Sequence, residues 1–286
     1  MRLHAIFPQT EIGSDPALVA RLVRDVEAMG FDGLVAYDHV LGADPARPNW
    51  SGPYTIESMF HEVMVLFSFA AAITTRLEFS TGVLILPQRQ TALVAKQAAA
   101  LDVLSRGRLR LGVGVGWNWV EFDALGMNFK DRGKRIEEQI ALLRRLWTEP
   151  SVTFAGTWHH VDRVGLNPLP VQRPIPLWMG ADSEVAIRRV ARLADGFFAH
   201  FGASDEGAAG AAQFWEWVKA AGRDPKRIGL ECRTGARMTD DELSRAAERF
   251  RAMGATDLEF NTMRAGFRDV EEHLSAYRRF LARLRA

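Results

Sequence analysis

The chain has 286 residues, with 36 Lys and Arg against 35 Asp and Glu, a formal net charge of +1. That balance gives no electrostatic reason to expect nucleic acid or an anionic membrane surface as a partner, so the expected ligand is a small molecule. Cys232 is the single cysteine, which excludes an intramolecular disulfide and a multi-thiolate metal site and reads as a cytoplasmic protein.

Arg2–Phe7 reads as a first strand rather than a leader, because its apolar stretch ends at Pro8. Ser14-Asp15-Pro16 offers an N-cap with proline at the first helical position, and that helix is predicted to run to Gly30. Gly33–Tyr37 is the second strand. The Pro- and Gly-rich stretch Asp38–Tyr54 has the length of a functional loop, and a helix is expected over Ile56–Thr75. The apolar run inside it, Val63 to Ile73, is too short to span a bilayer.

A third strand at Leu77–Leu86, a helix over Thr91–Ser105 and a fourth strand at Leu109–Val113 make one parallel βαβ unit, ending in the alternating glycines Gly112, Gly114 and Gly116. Arg132–Trp147 places Ile136, Ile140, Leu143 and Trp147 on one helix face. Between Glu149 and Pro176 the alternation breaks. VTFAGTWHHV reads as a hairpin around Ala155-Gly156, and LNPLPVQRPIP as extended chain. Strands at Pro176–Met179, Gly196–His200, Ile228–Arg233 and Asp257–Phe260 then alternate with helices at Ser183–Leu193, Asp205–Ala221, Asp240–Met253 and Val270–Leu284. The whole series predicts one α/β domain over residues 1–286, a (β/α)8 TIM barrel with an insertion between the fourth helix and the fifth strand. A doubly wound open sheet is the runner-up.

In such a barrel the chemistry sits at the C-terminal strand ends. The residues there are Pro8 and Gln9, Asp38 and His39, Gly82 to Pro87, Gly114 to Trp117, Gly180 to Ser183, His200 and Phe201, and Asn261. They are mostly glycines, aromatics and neutral donors, which suits a cradle for a planar cofactor better than paired-carboxylate or Ser-His-Asp chemistry. Gly112-Val113-Gly114-Val115-Gly116 is not a dinucleotide fingerprint, since Trp117 or Trp119 takes the third glycine position in either register. His61-Glu62 lacks the second histidine of a zinc-protease helix, and His159 and His160 point to opposite faces of a strand, so no metal site is expected.

Gly180-Ala181-Asp182-Ser183 follows a strand and opens an arginine-containing helix. It reads either as a phosphate seat, with small residues and a helix N-terminus, or as a plain helix cap. Asp38-His39 leaves a buried strand. The histidine reads either as a proton partner oriented through its neighbour or as a satisfied polar residue.

Taken together in order, DGLVAYDHV, STGVLILPQRQTALVAKQAAALDVLSRGRLRLGVGVGWNWVEFDALG, RGKRIEEQIALLRRLW and PIPLWMGADSEVAIRRVARLADGF resemble the bacterial luciferase-like superfamily, in its coenzyme F420 (deazaflavin)-dependent oxidoreductase branch. The resemblance covers almost the entire chain. It implies a barrel that holds a flavin or deazaflavin ring at its C-terminal mouth, with a non-proline cis peptide at Gly82-Val83 beneath the ring and His39 beside it. It also implies that the cofactor phosphate sits at Gly180–Ser183.

The cofactor-binding set expected on this basis is Asp38, His39, Gly82, Val83, Gly114, Gly116, Gly180, Ala181, Asp182 and Ser183, with Trp117, Trp50 and His200 in the substrate pocket. One departure stands out: some relatives carry an acid where this chain has Trp117, so proton transfer falls to His39, another loop residue or water. The implied activity is hydride exchange between C5 of F420 and a small organic substrate, in a homodimer. The alternatives are an FMN-dependent monooxygenase using O2 and a barrel that binds flavin without turnover. An aldolase-like barrel would need a strand-end lysine, and none of Lys96, Lys130, Lys134, Lys219 and Lys226 is at one.

Overall fold

The structure is a computed structural model that describes residues 1–285. Its strands are β1 (Arg2–Ile6), β2 (Gly33–Ala36), β3 (Glu78–Thr81), β4 (Leu84–Ile85), β5 (Leu109–Gly114), β6 (Val152–Ala155), β7 (His160–Val164), β8 (Leu177–Ala181), β9 (Gly196–Ala199), β10 (Gly229–Gly235) and β11 (Asp257–Asn261). The helices are α1 (Pro16–Met29), α2 (Val63–Ala72), α3 (Thr91–Leu104), α4 (Trp119–Ala124), α5 (Arg132–Thr148), α6 (Glu184–Leu193), α7 (Asp205–Ala220), α8 (Asp240–Ala252) and α9 (Val270–Arg285).

Parallel pairing runs β1-β2-β3-β5-β8-β9-β10-β11 and returns to β1, with β4 continuing β3 alongside β5. This is a closed eight-strand barrel of the TIM type, as the alternation of elements predicts. The insertion is also where it was expected. β6 and β7 pair antiparallel, and His159 ties the hairpin down by bonding Glu138 Oε1 through Nδ1 (2.7 Å) and Thr91 Oγ1 through Nε2 (2.7 Å), while His160 is exposed. The two adjacent histidines share nothing.

Local chemistry explains the element ends. Asp15 caps α1 by accepting from the Ala17 N–H, Pro16 opens the helix, and Gly30 closes it at φ 89°. The second predicted helix starts later than expected, at Val63 with Glu62 as its cap. Residues before it are held instead by a bridge between Ala43 and Thr55, and the Ile56 N–H donates to the Ala43 carbonyl at 3.1 Å. The third strand is also not continuous: it breaks after Thr81, resumes at Leu84 and passes into a single 3-10 turn, Leu86–Gln88.

Side-chain alternation sorts each strand into two faces. Leu3, Ala5 and Phe7, Leu111 and Val113, Leu230 and Cys232, and Leu258 and Phe260 pack outward into the core shared with the helices. Their neighbours face the barrel axis, and the floor of the barrel interior is charged. Arg110 Nη2 donates to Glu231 Oε2 (2.7 Å) and to His4 Nδ1 (2.9 Å), its Nη1 to Asp257 Oδ1 (3.2 Å) and its Nε to Ser80 Oγ (3.0 Å). The guanidinium also lies 4.1 Å from the centroid of the Trp178 ring. His4, Glu231 and Asp257 are close enough together to bind a cation, and Arg110 occupies that role. Nearer the mouth, Ile6 and Val35 form a small apolar layer with Met263 and Tyr37.

Candidate active site

The C-terminal ends of the strands surround a cleft of about 390 Å³. Asp38, His39, Gly82, Val83, Gly114, Gly116, Trp117, Gly180, Ala181, Asp182, Ser183 and His200 all line it. Trp50 is not part of the lining, and its ring lies 5.7 Å from that of Trp117. Pro8, Gln9 and Asn261 do not line the cleft. Gln9 is buried beneath it and donates to the Tyr37 carbonyl.

The glycines make room for one side chain. A Cβ on Gly114 would lie 2.5 Å from Val83 Cγ2, and one on Gly180 would lie 3.2 Å from Val83 Cγ1. Val83 thus stands between β5 and β8 with flat backbone on both sides. The Gly82–Val83 peptide is cis. Asp38 fixes the segment that follows: its Oδ2 accepts from the Ile85 N–H (3.1 Å) and its Oδ1 from Arg89 Nη2 (2.6 Å). Both oxygens of the Asp38 carboxylate are engaged, and what they orient is the strand and Arg89, not the His39 ring.

A residue that the sequence reading did not single out orients His39. Glu121 lies on α4, a helix of 6 residues capped by the Asn118 side chain, and its Oε2 sits 3.1 Å from His39 Nδ1. Its Oε1 accepts from the Val40 N–H (2.6 Å) and the Leu41 N–H (3.1 Å). Burial opposes ionisation of Glu121, but the His39 hydrogen bond, the His39 charge and these two N–H groups outweigh it, and its carboxyl is held below the usual range. In the neutral form of the ring, an ionised Glu121 accepts from Nδ1–H and Nε2 keeps its lone pair. Glu121 thus follows Trp117 by four residues and meets the histidine directly. Tyr54, Phe60 and Trp117 enclose the ring at centroid distances of 5.0, 4.8 and 5.6 Å.

At the opposite side, Ser183 is the N-cap of α6, with Oγ accepting from the Ala186 N–H at 3.4 Å. The helix-cap reading of Gly180–Ser183 holds there; the capping hydroxyl keeps its own O–H to donate, and Gly180 to Ser183 line the cleft. The arginines of α6 are engaged elsewhere: Arg189 with Glu137 (2.7 Å) and Arg188 with Glu184 (2.7 Å). Asp182 is bonded to His200 Nδ1. Tyr37, Tyr54, Asn118 and Arg233 are among the further lining residues that were not foreseen. For Arg233 a signal existed in strand parity, because it alternates with Glu231 on the axis-facing side of β10.

A profile of the luciferase-like monooxygenase family matches residues 3–284. An uncharacterised protein of Mycobacterium tuberculosis is 36% identical over 209 residues, covering 70% of this chain and 71% of its own. An FMNH2-dependent dimethylsulfone monooxygenase of Pseudomonas fluorescens is 34% identical over 187 residues, covering 64% of this chain and 50% of its own. Among solved structures, an F420-dependent secondary alcohol dehydrogenase superposes with a TM-score of 0.77 at 16% identity, covering 100% of this chain and 99% of its own. A monooxygenase from Streptomyces bottropensis gives 0.77 at 19% identity, covering 99% and 98%. These two likenesses establish the fold. The chain belongs to the luciferase-like monooxygenase family, whose members are oxidoreductases using cofactors of the flavin type.

Proposed function

We propose that the cleft binds coenzyme F420 and that the protein moves a hydride between the cofactor and a carbon of a small organic substrate, with His39 as the proton partner. The observation that carries this reading is the His39–Glu121 pair beside a flat-walled cleft. The residues suit the cofactor: Val83 between Gly114 and Gly180 offers a support for a planar ring, and Gly180 to Ser183 offer amides and a hydroxyl for its phosphate.

When bound, F420 supplies a C5 centre that accepts or returns a hydride. This chain's residues do the rest. His39 Nε2 takes the hydroxyl proton of an alcohol as its carbon loses hydride, and returns it in the reverse direction. Glu121 fixes the tautomer and stabilises the imidazolium that forms. Tyr54, Phe60 and Trp117 keep bulk water from the ring of His39.

The test is turnover. Protein supplied with reduced F420 and a panel of small ketones and aldehydes is expected to oxidise the cofactor, and His39→Asn to lose that activity while still binding it. A variant that binds and turns over like wild type removes His39 from the mechanism; binding with no turnover by either protein would leave a flavin-binding barrel. A second reading, reduced FMN with O2, is favoured by the named activity of the Pseudomonas relative. It predicts oxygen uptake with reduced FMN and none with reduced F420.

A further inference from the structure

We propose that Arg233 and Tyr37 form an acceptor-oxygen subsite in the inner wall of the cleft, built for a carboxylate or carbonyl oxygen of the molecule bound there. This rests on the preceding reading only in placing a ligand in the cleft. Arg233 projects from β10 toward the axis, where its Nε donates to Glu259 Oε2 at 2.8 Å. That bond fixes the direction of the side chain and leaves its outer end free. Among the described residues neither Nη1 nor Nη2 of Arg233 has a hydrogen-bond acceptor, and the side chain keeps 32% of its surface exposed.

Tyr37 leaves β2 and meets it, the guanidinium carbon lying 5.4 Å from the ring centroid. The Tyr37 hydroxyl is buried and has no partner. Both residues line the cleft. Buried donors are almost always satisfied in folded proteins, so the unpartnered Tyr37 hydroxyl, beside a guanidinium whose open end faces the same cavity, marks the place of a ligand oxygen. The guanidinium presents two parallel N–H bonds, the geometry that a carboxylate fills and a single carbonyl half fills. With Tyr54 and Trp117 also in the wall, the fitting molecule has an apolar or aromatic body and one such group. Two sources offer that oxygen: the substrate, or a ring carbonyl of the cofactor.

The test uses Tyr37→Phe and the paired variant Arg233→Met/Glu259→Gln, with F420, FMN and benzoate as probes. Tyr37→Phe removes one unpartnered oxygen, so it folds with an unfolding temperature equal to or above that of wild type. A merely structural tyrosine would lower it. The paired variant removes both members of the ion pair, and if it fails to fold, Tyr37→Phe decides alone.

The expected result is weaker binding of at least one probe, about tenfold for the paired variant and less for Tyr37→Phe. Loss confined to benzoate assigns the subsite to the substrate; loss of F420 or FMN affinity assigns it to the ring. Unchanged affinity for all three probes in both variants, including no benzoate binding by any of the proteins, overturns the proposal. If wild type takes neither F420 nor FMN, the redox reading falls. The benzoate arm, read as a shift in unfolding temperature, still decides the subsite.

Discussion

Arg110 and Arg233 both enter the barrel interior from strands, β5 and β10, and each faces a buried acid. Arg110, at the floor, spends its donors on Glu231, Asp257, Ser80 and His4, and it stacks on Trp178. Arg233, at the mouth, makes a single side-chain bond, to Glu259, and opens the rest of its guanidinium to the cleft. The floor is closed chemistry in which each of the three Arg110 nitrogens meets an acceptor inside the fold. The mouth is incomplete by the same accounting. Side chains of one type thus serve stability or binding according to how many acceptors the fold itself provides.

The largest effect that sharpens this contrast is on stability. Arg110→Met strands Asp257 and its acidic neighbours, so it should lower the free energy of unfolding in a urea titration by about 3–5 kcal/mol. Arg233→Met/Glu259→Gln should come close to neutral. Equal losses would erase the difference between floor and mouth.

At the mouth, His39→Asn should reduce turnover by about 10²–10⁴-fold, with cofactor affinity changed only severalfold in a binding titration. Glu121→Gln, which keeps the shape but not the charge, should fall between that variant and wild type. A Glu121→Gln protein as active as wild type would contradict the role given to that carboxylate.

The floor carries a pH signature. The 2.6 Å contact between His4 Nδ1 and Glu231 Oε1 holds one proton, shared between the ring and the carboxyl. Burial pushes the Glu231 carboxyl up from 4.5 to about 8, only partly offset by Arg110. A raised folded value contributes stability that is complete below the unfolded value and is lost as pH rises through the folded one. Burial, assisted by Arg110, pulls His4 down from 6.5 to about 4, and its contribution is complete above pH 6.5 and lost as pH falls through about 4. Of the pair only Glu231 acts above pH 6.5. Stability should therefore decline by about 2 kcal/mol between pH 6.5 and about 8. Glu231→Gln, whose amide can donate to His4 and whose oxygen can accept from Arg110, should flatten that slope in urea titrations across the same range.

The smallest effect expected is at the ring support. Gly114→Ala places a methyl 2.5 Å from Val83 Cγ2, so Val83 must shift; cofactor binding should weaken by about tenfold and the unfolding temperature should fall modestly.

Much of this molecule is legible in its sequence, for physical reasons that also set the limit. The barrel follows from strand and helix signals that are local, such as the Asp15-Pro16 start and the Gly30 stop of α1. The strand-end glycines and the Asp38-His39 step point to the cleft because the fold brings strand ends together. Glu121 is not legible. It sits on one and a half turns of helix in WNWVEFDALG, too short for periodicity to orient it, and an isolated acid there reads as surface. The late start of α2 is equally hidden, because a non-local bridge between Ala43 and Thr55 overrides the helical preference of the residues before Val63. Arg233 and Tyr37 fall between these cases. Parity places both on the axis side, but which polar groups lack partners is a property of the assembled interior.

The central claim is that the mouth is a deazaflavin site, and the direct measurement is quenching of intrinsic tryptophan fluorescence on titration with F420 and, in parallel, with FMN. Trp117, in the wall of the cleft, and Trp50, packed against it, report the occupancy. The account predicts saturable quenching by F420 at one equivalent per chain, with FMN binding weakly or not at all. Tight binding of FMN with no binding of F420 would contradict it.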